Sequence, residues 1–374
     1  MKTYRNATFV AALITFSCTV HAQSSSVTLY GITDVGVVYN SNVKTASGGK
    51  NLWQMLSGNE SGSRWGLLGT EDLGGGLKAL FRIESGFNIN NGTLAQGGRM
   101  FGRQSYVGVK DENFGTFLMG RQLNAIQDFL APLQAQSAMI SFSTHPLDND
   151  NLNNTYRTDN VVKYSSPNIG GFSAEATYGF SNATNFANNR AYSFGATYTK
   201  GTLNLGAAYA RAQSPGAIGG AIVGNPSSAT PSNPLLGAAR VDQWGAGGAY
   251  AFGPATVGVL YTGSLYTNSA TALAAARGTI HFHNYEANLR YALTPAVILA
   301  LAETYTSVHQ SAGSGHYLQT SVGADYFLSK RTNLYFDAFY QKASKNLNAN
   351  IDGAGGAASG TSQAVVALGI RHKF

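Results

Sequence analysis

Alternation between apolar and polar residues is the feature that most constrains how this chain folds. In the segment LKALFRIE, residues 77–84, the odd-numbered positions are apolar and include Phe81 and Ile83. The even-numbered positions between them include the charged residues Arg82 and Glu84. Successive side chains of a β-strand point to opposite faces, so one face of this strand suits an apolar solvent and the other suits water. A soluble β-sandwich shows the same pattern, and the rest of the chain must decide between a sandwich and a membrane barrel.

Residues 1–22 have the features of a secretory signal peptide. Lys2 and Arg5 form a short basic region, a largely apolar run follows, and Val20-His21-Ala22 suits a cleavage site, so we expect the mature chain to begin at Gln23. The alternative is a membrane anchor, but the apolar run is far shorter than the ~20 residues that a spanning helix needs. The sequence thus predicts export and a single domain over residues 23–374.

Cleavage would remove Cys18, the only cysteine of the chain. The mature protein would then have neither a disulfide nor a cysteine-based metal site, and we expect no cofactor. The formal net charge of +7 is spread along the chain. The chain lacks the basic run or cluster of basic residues that is typical of nucleic-acid binding, so we expect no nucleic-acid partner.

The composition favours a protein that meets both lipid and water. The chain has 45 glycines, 20 tyrosines and 19 phenylalanines, which is typical of β-strands and turns. Only 11% of the residues are charged, yet the mean hydropathy is −0.09. Beyond residue 22 there is no apolar stretch of 18 residues. If the mature chain spans a membrane, it therefore does so with strands.

The candidate strands are separated by alternately tight and long connections. Tight connections rich in Gly, Pro, Asn or Asp fall at 71–76, 111–115, 166–171, 200–201, 252–254, 293–295 and 329–332. Longer polar connections fall at 40–60, 89–98, 123–157, 181–189, 213–239, 267–278, 309–314 and 343–361. Seven tight and eight long connections predict about sixteen strands. An even number of strands, with short turns at one end and long loops at the other, is typical of an outer-membrane β-barrel.

The segment AVVALGIRHKF, residues 364–374, predicts how the barrel closes. It alternates like a strand and ends on an aromatic residue. An open sheet edge in lipid would leave backbone groups without hydrogen bonds, so this strand should pair with the first one, residues 26–37.

Several longer motifs resemble the general diffusion porins of betaproteobacteria. They are SSVTLYGITDVGV, SRWGLLGTEDLGGGLKALFRIESGF, GRQSYVGVKDENFGTFLMGRQ, YRTDNVVKYSSPNIGGF and GIRHKF. The resemblance implies an all-β fold, a transmembrane antiparallel barrel of about sixteen strands in the outer membrane, and a homotrimer. It also implies that the third long loop, residues 123–157, folds into the lumen and narrows it. The implied partners are outer-membrane lipid and lipopolysaccharide, and the implied solutes are ions and small hydrophilic molecules.

The same resemblance assigns roles to charged residues. Arg64, Arg82 and Arg103 would form a basic ladder on one wall of the constriction, with Glu84 among them. Arg157, where the third loop rejoins the wall, matches a family position. The acids expected on the opposite side are Asp128, Asp148 and Asp150. A basic wall facing an acidic loop creates a transverse field, and we predict a weak to moderate anion preference.

Other interpretations of the sequence are weaker but remain open. A substrate-specific outer-membrane channel would share the barrel, and an outer-membrane lipase or protease could also be a barrel, although no catalytic arrangement is recognisable. His281 and His283 share one strand face and could bind a metal, but a third ligand is not evident. The sequence therefore predicts a porin and not an enzyme.

Overall fold

The computed structural model describes residues 25–138, 142–215, 220–222, 238–269, 278–310 and 313–374. The predicted signal peptide lies outside these residues, as do most of the predicted connections 213–239 and 267–278. Among the described residues, no helix is both long enough and apolar enough to cross a membrane.

In the described parts of the chain, seventeen strand segments form one antiparallel sheet. They are Ser25–Thr45 (β1), Gly48–Ser57 (β2), Arg64–Gly74 (β3), Leu77–Gly86 (β4), Gln104–Asp111 (β5), Gly115–Gln122 (β6), Thr158–Ser165 (β7), Phe172–Gly179 (β8), Ala191–Lys200 (β9), Leu203–Gln213 (β10), Arg240–Phe252 (β11), Ala255–Ser269 (β12), Gly278–Thr294 (β13), Val297–Gln310 (β14), Gly313–Phe327 (β15), Thr332–Ala343 (β16) and Ser362–Lys373 (β17). Each of the seven predicted tight connections joins two neighbouring strands, as expected.

The sheet closes on itself through β1. One edge of β1 pairs with β17, where Asn40 lies opposite Val365. The other edge pairs first with β3 and then with β2. The segments β2 and β3 therefore share one place in the barrel, and the seventeen segments form sixteen strands. This confirms both the predicted number of strands and the predicted closure between the first and the last.

Two predicted long connections are in fact short. The region 40–60 is mostly a hairpin, in which β1 continues to Thr45 and β2 begins at Gly48. The region 309–314 is also mostly strand, because β14 ends at Gln310 and β15 begins at Gly313. In both places polar residues extend the strands beyond the length that alternation alone indicated.

The outside of the barrel is apolar and the inside is polar. In β13, Tyr285 is 53% exposed on the outer face, whereas the neighbouring Asn284 is 0% exposed on the inner face. In β16, Leu334 and Phe336 are likewise exposed, and Asp337 is buried. The alternation in the sequence thus separates a lipid-facing surface from a polar lumen.

The third loop lies against the inner face of the barrel. It begins with a short helix, α1 (Ala125–Phe129), whose first turn is capped by Asn124 and Gln127 in a capping box. Three short 3-10 helices follow at Ala131–Leu133, Ala135–Ala138 and Pro146–Asp148. The apolar side chains of α1 and its flanks pack against Ala208 and Ala210 of β10 and Leu260 of β12; they are Ala125, Ile126, Leu130 and Leu133. This apolar contact holds the start of the loop inside the barrel.

Part of the connection between β16 and β17 is also inside. The carbonyl of Ala354 accepts hydrogen bonds from Asn40 Nδ2 and Gln54 Nε2, both at 2.8 Å. Ile351 is fully buried beside it. The lumen therefore holds a second inner segment, which the sequence had indicated only as a long loop.

Candidate pore constriction

Three arginines come from consecutive strands of one wall. Arg64 is the first residue of β3, Arg82 lies in β4, and Arg103 immediately precedes β5. The backbone N–H of Arg103 donates to the carbonyl of Glu84 (3.1 Å), and Arg64 lies opposite Gly86. Because these three strands are neighbours in the sheet, the arginines meet at the same level of the lumen.

Glu84 holds two of these arginines in place. Its Oε2 accepts from Arg82 Nη2 (2.9 Å) and from the hydroxyl of Tyr30 (2.8 Å), while its Oε1 accepts from Arg103 Nε (2.6 Å). Arg82 Nε also donates to the Tyr30 oxygen (2.6 Å). The Glu84 carboxylate is almost fully buried, with a relative exposure of 2%. It therefore orders the arginines, whose side chains are more accessible to solvent.

Arg157 completes this cluster from the end of the third loop. A cavity of about 400 Å³ is lined by Arg157 together with Arg64, Arg82, Glu84 and Arg103. Burial lowers the pKa of the Arg157 guanidinium well below its usual value, and the positive charges of nearby arginines act in the same direction. We call Arg64, Arg82, Arg103 and Arg157 the arginine wall.

A larger cavity of about 810 Å³ adjoins the arginine wall. Its basic lining residues are Arg64, Arg103, Arg157, Arg290, Arg371 and Lys373. Its acidic lining residues are Glu60 and Asp352. The ionisable side chains around this space are therefore predominantly basic. Five of the six basic ones come from β3, β13 and β17 or from the residue before β5.

Two of the acids expected to face the arginine wall are buried in the attachment of the third loop. Asp150 pairs with His145 Nδ1 (2.5 Å), and His145 Nε2 lies 3.2 Å from Glu286 on β13. These two carboxylates overcome the effect of burial and raise the pKa of His145 to about 10. The carboxylate of Asp148 instead accepts hydrogen bonds from the backbone N–H groups of Asn153 (2.8 Å) and Thr155 (2.9 Å). The expectation that Asp148 and Asp150 face the wall is wrong, because both carboxylates serve to fix the loop.

Asp128 is also engaged elsewhere. Its carboxylate lies 2.5 Å from Lys163 Nζ on β7, and Lys163 is 3.2 Å from Glu175 on β8. The structure thus pairs Asp128 with a lysine of the neighbouring wall rather than with the arginines. Asp159, after Arg157, pairs with Arg121 and with Arg99 (3.2 Å).

The acids that do face the larger cavity were missed in the sequence. Glu60 lies in the break between β2 and β3, and it accepts from Asn333 Nδ2 and Arg371 Nη1, both at 3.1 Å. Burial raises the pKa of Glu60, and the nearby carboxylate of Asp325 acts in the same direction. Asp352 lies in the inner segment before β17, and burial raises its pKa to about 6. The only signal for Glu60 was the run of small residues around it in SGNESGS, which breaks the strand pattern.

His281 and His283 lie on the outer face of β13. His283 Nδ1 is 2.9 Å from the Tyr261 hydroxyl, and its ring is 6.5 Å from the ring of His309. Within the described parts of the chain, no group of three or more His, Cys, Asp or Glu side chains is arranged to hold a metal ion.

A closed sixteen-stranded barrel with an apolar exterior and a charged lumen defines a β-barrel membrane channel. The family model described as Gram-negative porin matches residues 7–346. An outer membrane porin protein of Bordetella pertussis is 39% identical over 207 residues, which cover 50% of this chain and 54% of the relative. Outer membrane porin protein 32 of Delftia acidovorans is 31% identical over 94% of each chain.

A solved structure supports the same assignment. The anion-selective porin from Comamonas acidovorans superposes with a TM-score of 0.75 and 27% identity, over 94% of this chain and 100% of that one. The chain belongs to the Gram-negative porin family. It is an outer-membrane porin, and its water-filled channel allows ions and small hydrophilic solutes to diffuse passively.

Proposed function

We propose that this porin is weakly anion-selective and that the arginine wall forms the selective part of its constriction. The observation that carries the proposal is the charge around the larger cavity, where six basic side chains accompany two acidic ones. Arginine stays ionised at any working pH when it is hydrated. A similar porin of known structure is described as anion-selective.

The arrangement of the wall explains how anions would pass. Glu84 neutralises part of the charge of Arg82 and Arg103, but their guanidinium groups keep further N–H donors for a passing anion. Neighbouring arginines can exchange an anion without a large loss of electrostatic stabilisation. In a narrow lumen the Coulomb interaction is less screened than at an open surface. Selectivity should nevertheless stay modest because Glu60 and Asp352 line the same space.

The third loop narrows the pore in this proposal, and the complete assembly is a homotrimer with lipopolysaccharide around it. The support for the narrowing is the position of Leu133, Gln134 and Gln136, which line the larger cavity from the loop side. The trimer and the lipid contact follow from the resemblance to general diffusion porins.

Replacing Arg82 with Glu tests the selectivity. The substitution changes the charge of the arginine wall by two units, so the zero-current potential in a tenfold KCl gradient should move toward cation preference. Arg331→Glu is the matched control because Arg331 is exposed in the turn between β15 and β16; it changes the total charge equally and should leave the potential nearly unchanged. A wild-type channel that already prefers potassium to chloride would refute the proposed role of the wall.

The same recordings distinguish a general pore from a substrate-specific channel. In a general pore, the conductance should rise in proportion to the salt concentration. The permeability to different solutes should depend only on their size and charge. Saturation of the conductance by one class of solute would instead indicate a dedicated binding site.

A further inference from the structure

We propose that the outer surface of the barrel binds a phosphate group of the lipopolysaccharide lipid, through Arg211 and Arg240 arranged around Asp242. These residues lie at the ends of β10 and β11 that adjoin the long connection between the two strands, opposite the tight turns 200–201 and 252–254. The proposal rests on the proposed contact with lipopolysaccharide, and it identifies where that contact is made.

The alternation of β10 places this cluster on the lipid side. Arg211 shares a face with Leu205, which is exposed, whereas Ala208 and Ala210 on the other face are buried. The register places Arg211 directly opposite Asp242 of β11, so both side chains leave the sheet on the same outer face. The cluster thus lies outside the lumen and takes no part in the constriction.

A single carboxylate fixes both arginines. Asp242 Oδ1 accepts from Arg211 Nε and from the Tyr209 hydroxyl, each at 2.5 Å, and Oδ2 accepts from Arg240 Nε at 2.7 Å. Asp242 is buried, but the side chains of Arg211 and Arg240 are 34% and 38% exposed. The two guanidinium groups are therefore held side by side, with one positive charge in excess.

A third arginine adds to this charge. Arg190 immediately precedes β9, and its carbonyl accepts a hydrogen bond from the backbone N–H of Gln213 at the end of β10 (2.9 Å). Arg190 thus lies at the same corner of the barrel as the two arginines that Asp242 holds. The arrangement matches a phosphate, because guanidinium donates paired hydrogen bonds to phosphate oxygens.

The position along the strands identifies the source of the phosphate. Toward the tight turn the same outer surface is apolar, with Phe194 and Leu205 exposed. Charged side chains on the lipid face of a barrel are tolerated only near the interfaces. The cluster is at the strand ends that carry the long loops, which in an outer-membrane barrel face the outside of the cell. A lipid phosphate at that interface is the anion within reach, and basic pockets on membrane proteins bind such head groups.

The test measures binding of lipid A to the purified porin in detergent. The wild type should bind bisphosphorylated lipid A at least tenfold more tightly than dephosphorylated lipid A. The double variant R211Q/R240Q should lose this preference. Lys200→Gln is the matched control, since Lys200 is exposed at the opposite end of β9, and it should keep the preference.

The outcomes separate this site from the other proposals. Equal affinity of the wild type for the two lipids, or an unchanged preference in R211Q/R240Q, would overturn the lipid site. Efficient competition by inorganic phosphate at matched concentration would indicate a site for free anions and would also overturn it. If R211Q/R240Q does not assemble, R211K/R240K keeps the charges but loses the paired donors, and the preference should then weaken. Ion selectivity measured on the same samples should not change, so a failure of the pore proposal is recognised separately.

Discussion

At the scale of single residues, an acid in the lumen influences passing ions only if it is charged and faces the water-filled path. Asp148 and Asp150 do not meet this condition, because one is bonded to loop backbone and the other is paired with His145. Glu60 and Asp352 face the larger cavity. The sequence alone does not reveal this difference. The difference depends on which carboxylates form the contacts that attach the folded third loop to the barrel.

The raised pKa values of Glu60 and Asp352 predict a pH-dependent selectivity. A carboxyl group whose pKa is raised is neutral below that pKa and becomes negative above it. Below pH 6 both groups should be neutral, so the anion preference should be strongest there. It should decline as Asp352 ionises near pH 6 and decline further at higher pH as Glu60 ionises. Zero-current potentials recorded from pH 5 to 9 in a fixed KCl gradient would measure this change.

Two variants assign the steps of that profile. Asp352→Asn should remove the lower step, and Glu60→Gln should remove the upper one, while each leaves the other in place. Glu71→Gln serves as the control because Glu71 is exposed on β3. A selectivity that stays constant from pH 5 to 9 would contradict the assignment of these two acids to the conducting path.

At the scale of elements, the strands could be predicted because one face of each strand meets lipid and the other meets water. The residues along each strand therefore alternate between apolar and polar. The pattern in residues 77–84 depends only on neighbouring positions, and β4 spans Leu77–Gly86 as that pattern indicates. The attachment of the third loop could not be predicted in this way. His145 meets Glu286, which lies 141 residues further along the chain, and no local pattern records such a contact.

The attachment of the third loop at His145 predicts an effect on channel stability. His145→Asn would leave Asp150 and Glu286 without their shared buried partner, and breaking a buried ion pair typically costs about 3–5 kcal/mol. We expect more frequent current fluctuations and faster hydrogen exchange at the amide of Ala135, which donates to Glu286 (2.7 Å). The barrel itself should stay folded, since its strands are held by their own hydrogen-bonded register.

His309→Asn is the control for this prediction. His309 is exposed on the outer face of β14, so its replacement should change neither the current noise nor the exchange of the loop. Quiet single-channel records and unchanged exchange in His145→Asn would show that the apolar packing of α1 alone holds the loop.

At the scale of the whole molecule, closure joins the first and last strands of the described chain. The sequence indicated this pairing because a membrane sheet cannot leave an edge open. The structure adds the break at residues 58–63, where one place in the barrel is shared by β2 and β3. Alternation could not indicate the break, because the contacts of Glu60 there are with residues of β16 and β17, which are distant in the sequence.

The last prediction concerns Phe374, which pairs β17 with β1 at the closure of the barrel. Phe374 and Gly31 exchange two backbone hydrogen bonds of 3.0 Å, and the Phe374 ring lies directly over Gly31, where a Cβ atom would be only 2.3 Å from it. Deleting Phe374 removes both bonds and exposes the edge of β1. We therefore expect a lower outer-membrane yield and a smaller fraction of protein that shows the heat-modifiable mobility of a folded barrel. Phe374→Tyr keeps the backbone pair and an aromatic ring, and it should fold nearly as well as the wild type. Normal yield and mobility after the deletion would mean that β1 and β17 close the barrel without this terminal pair.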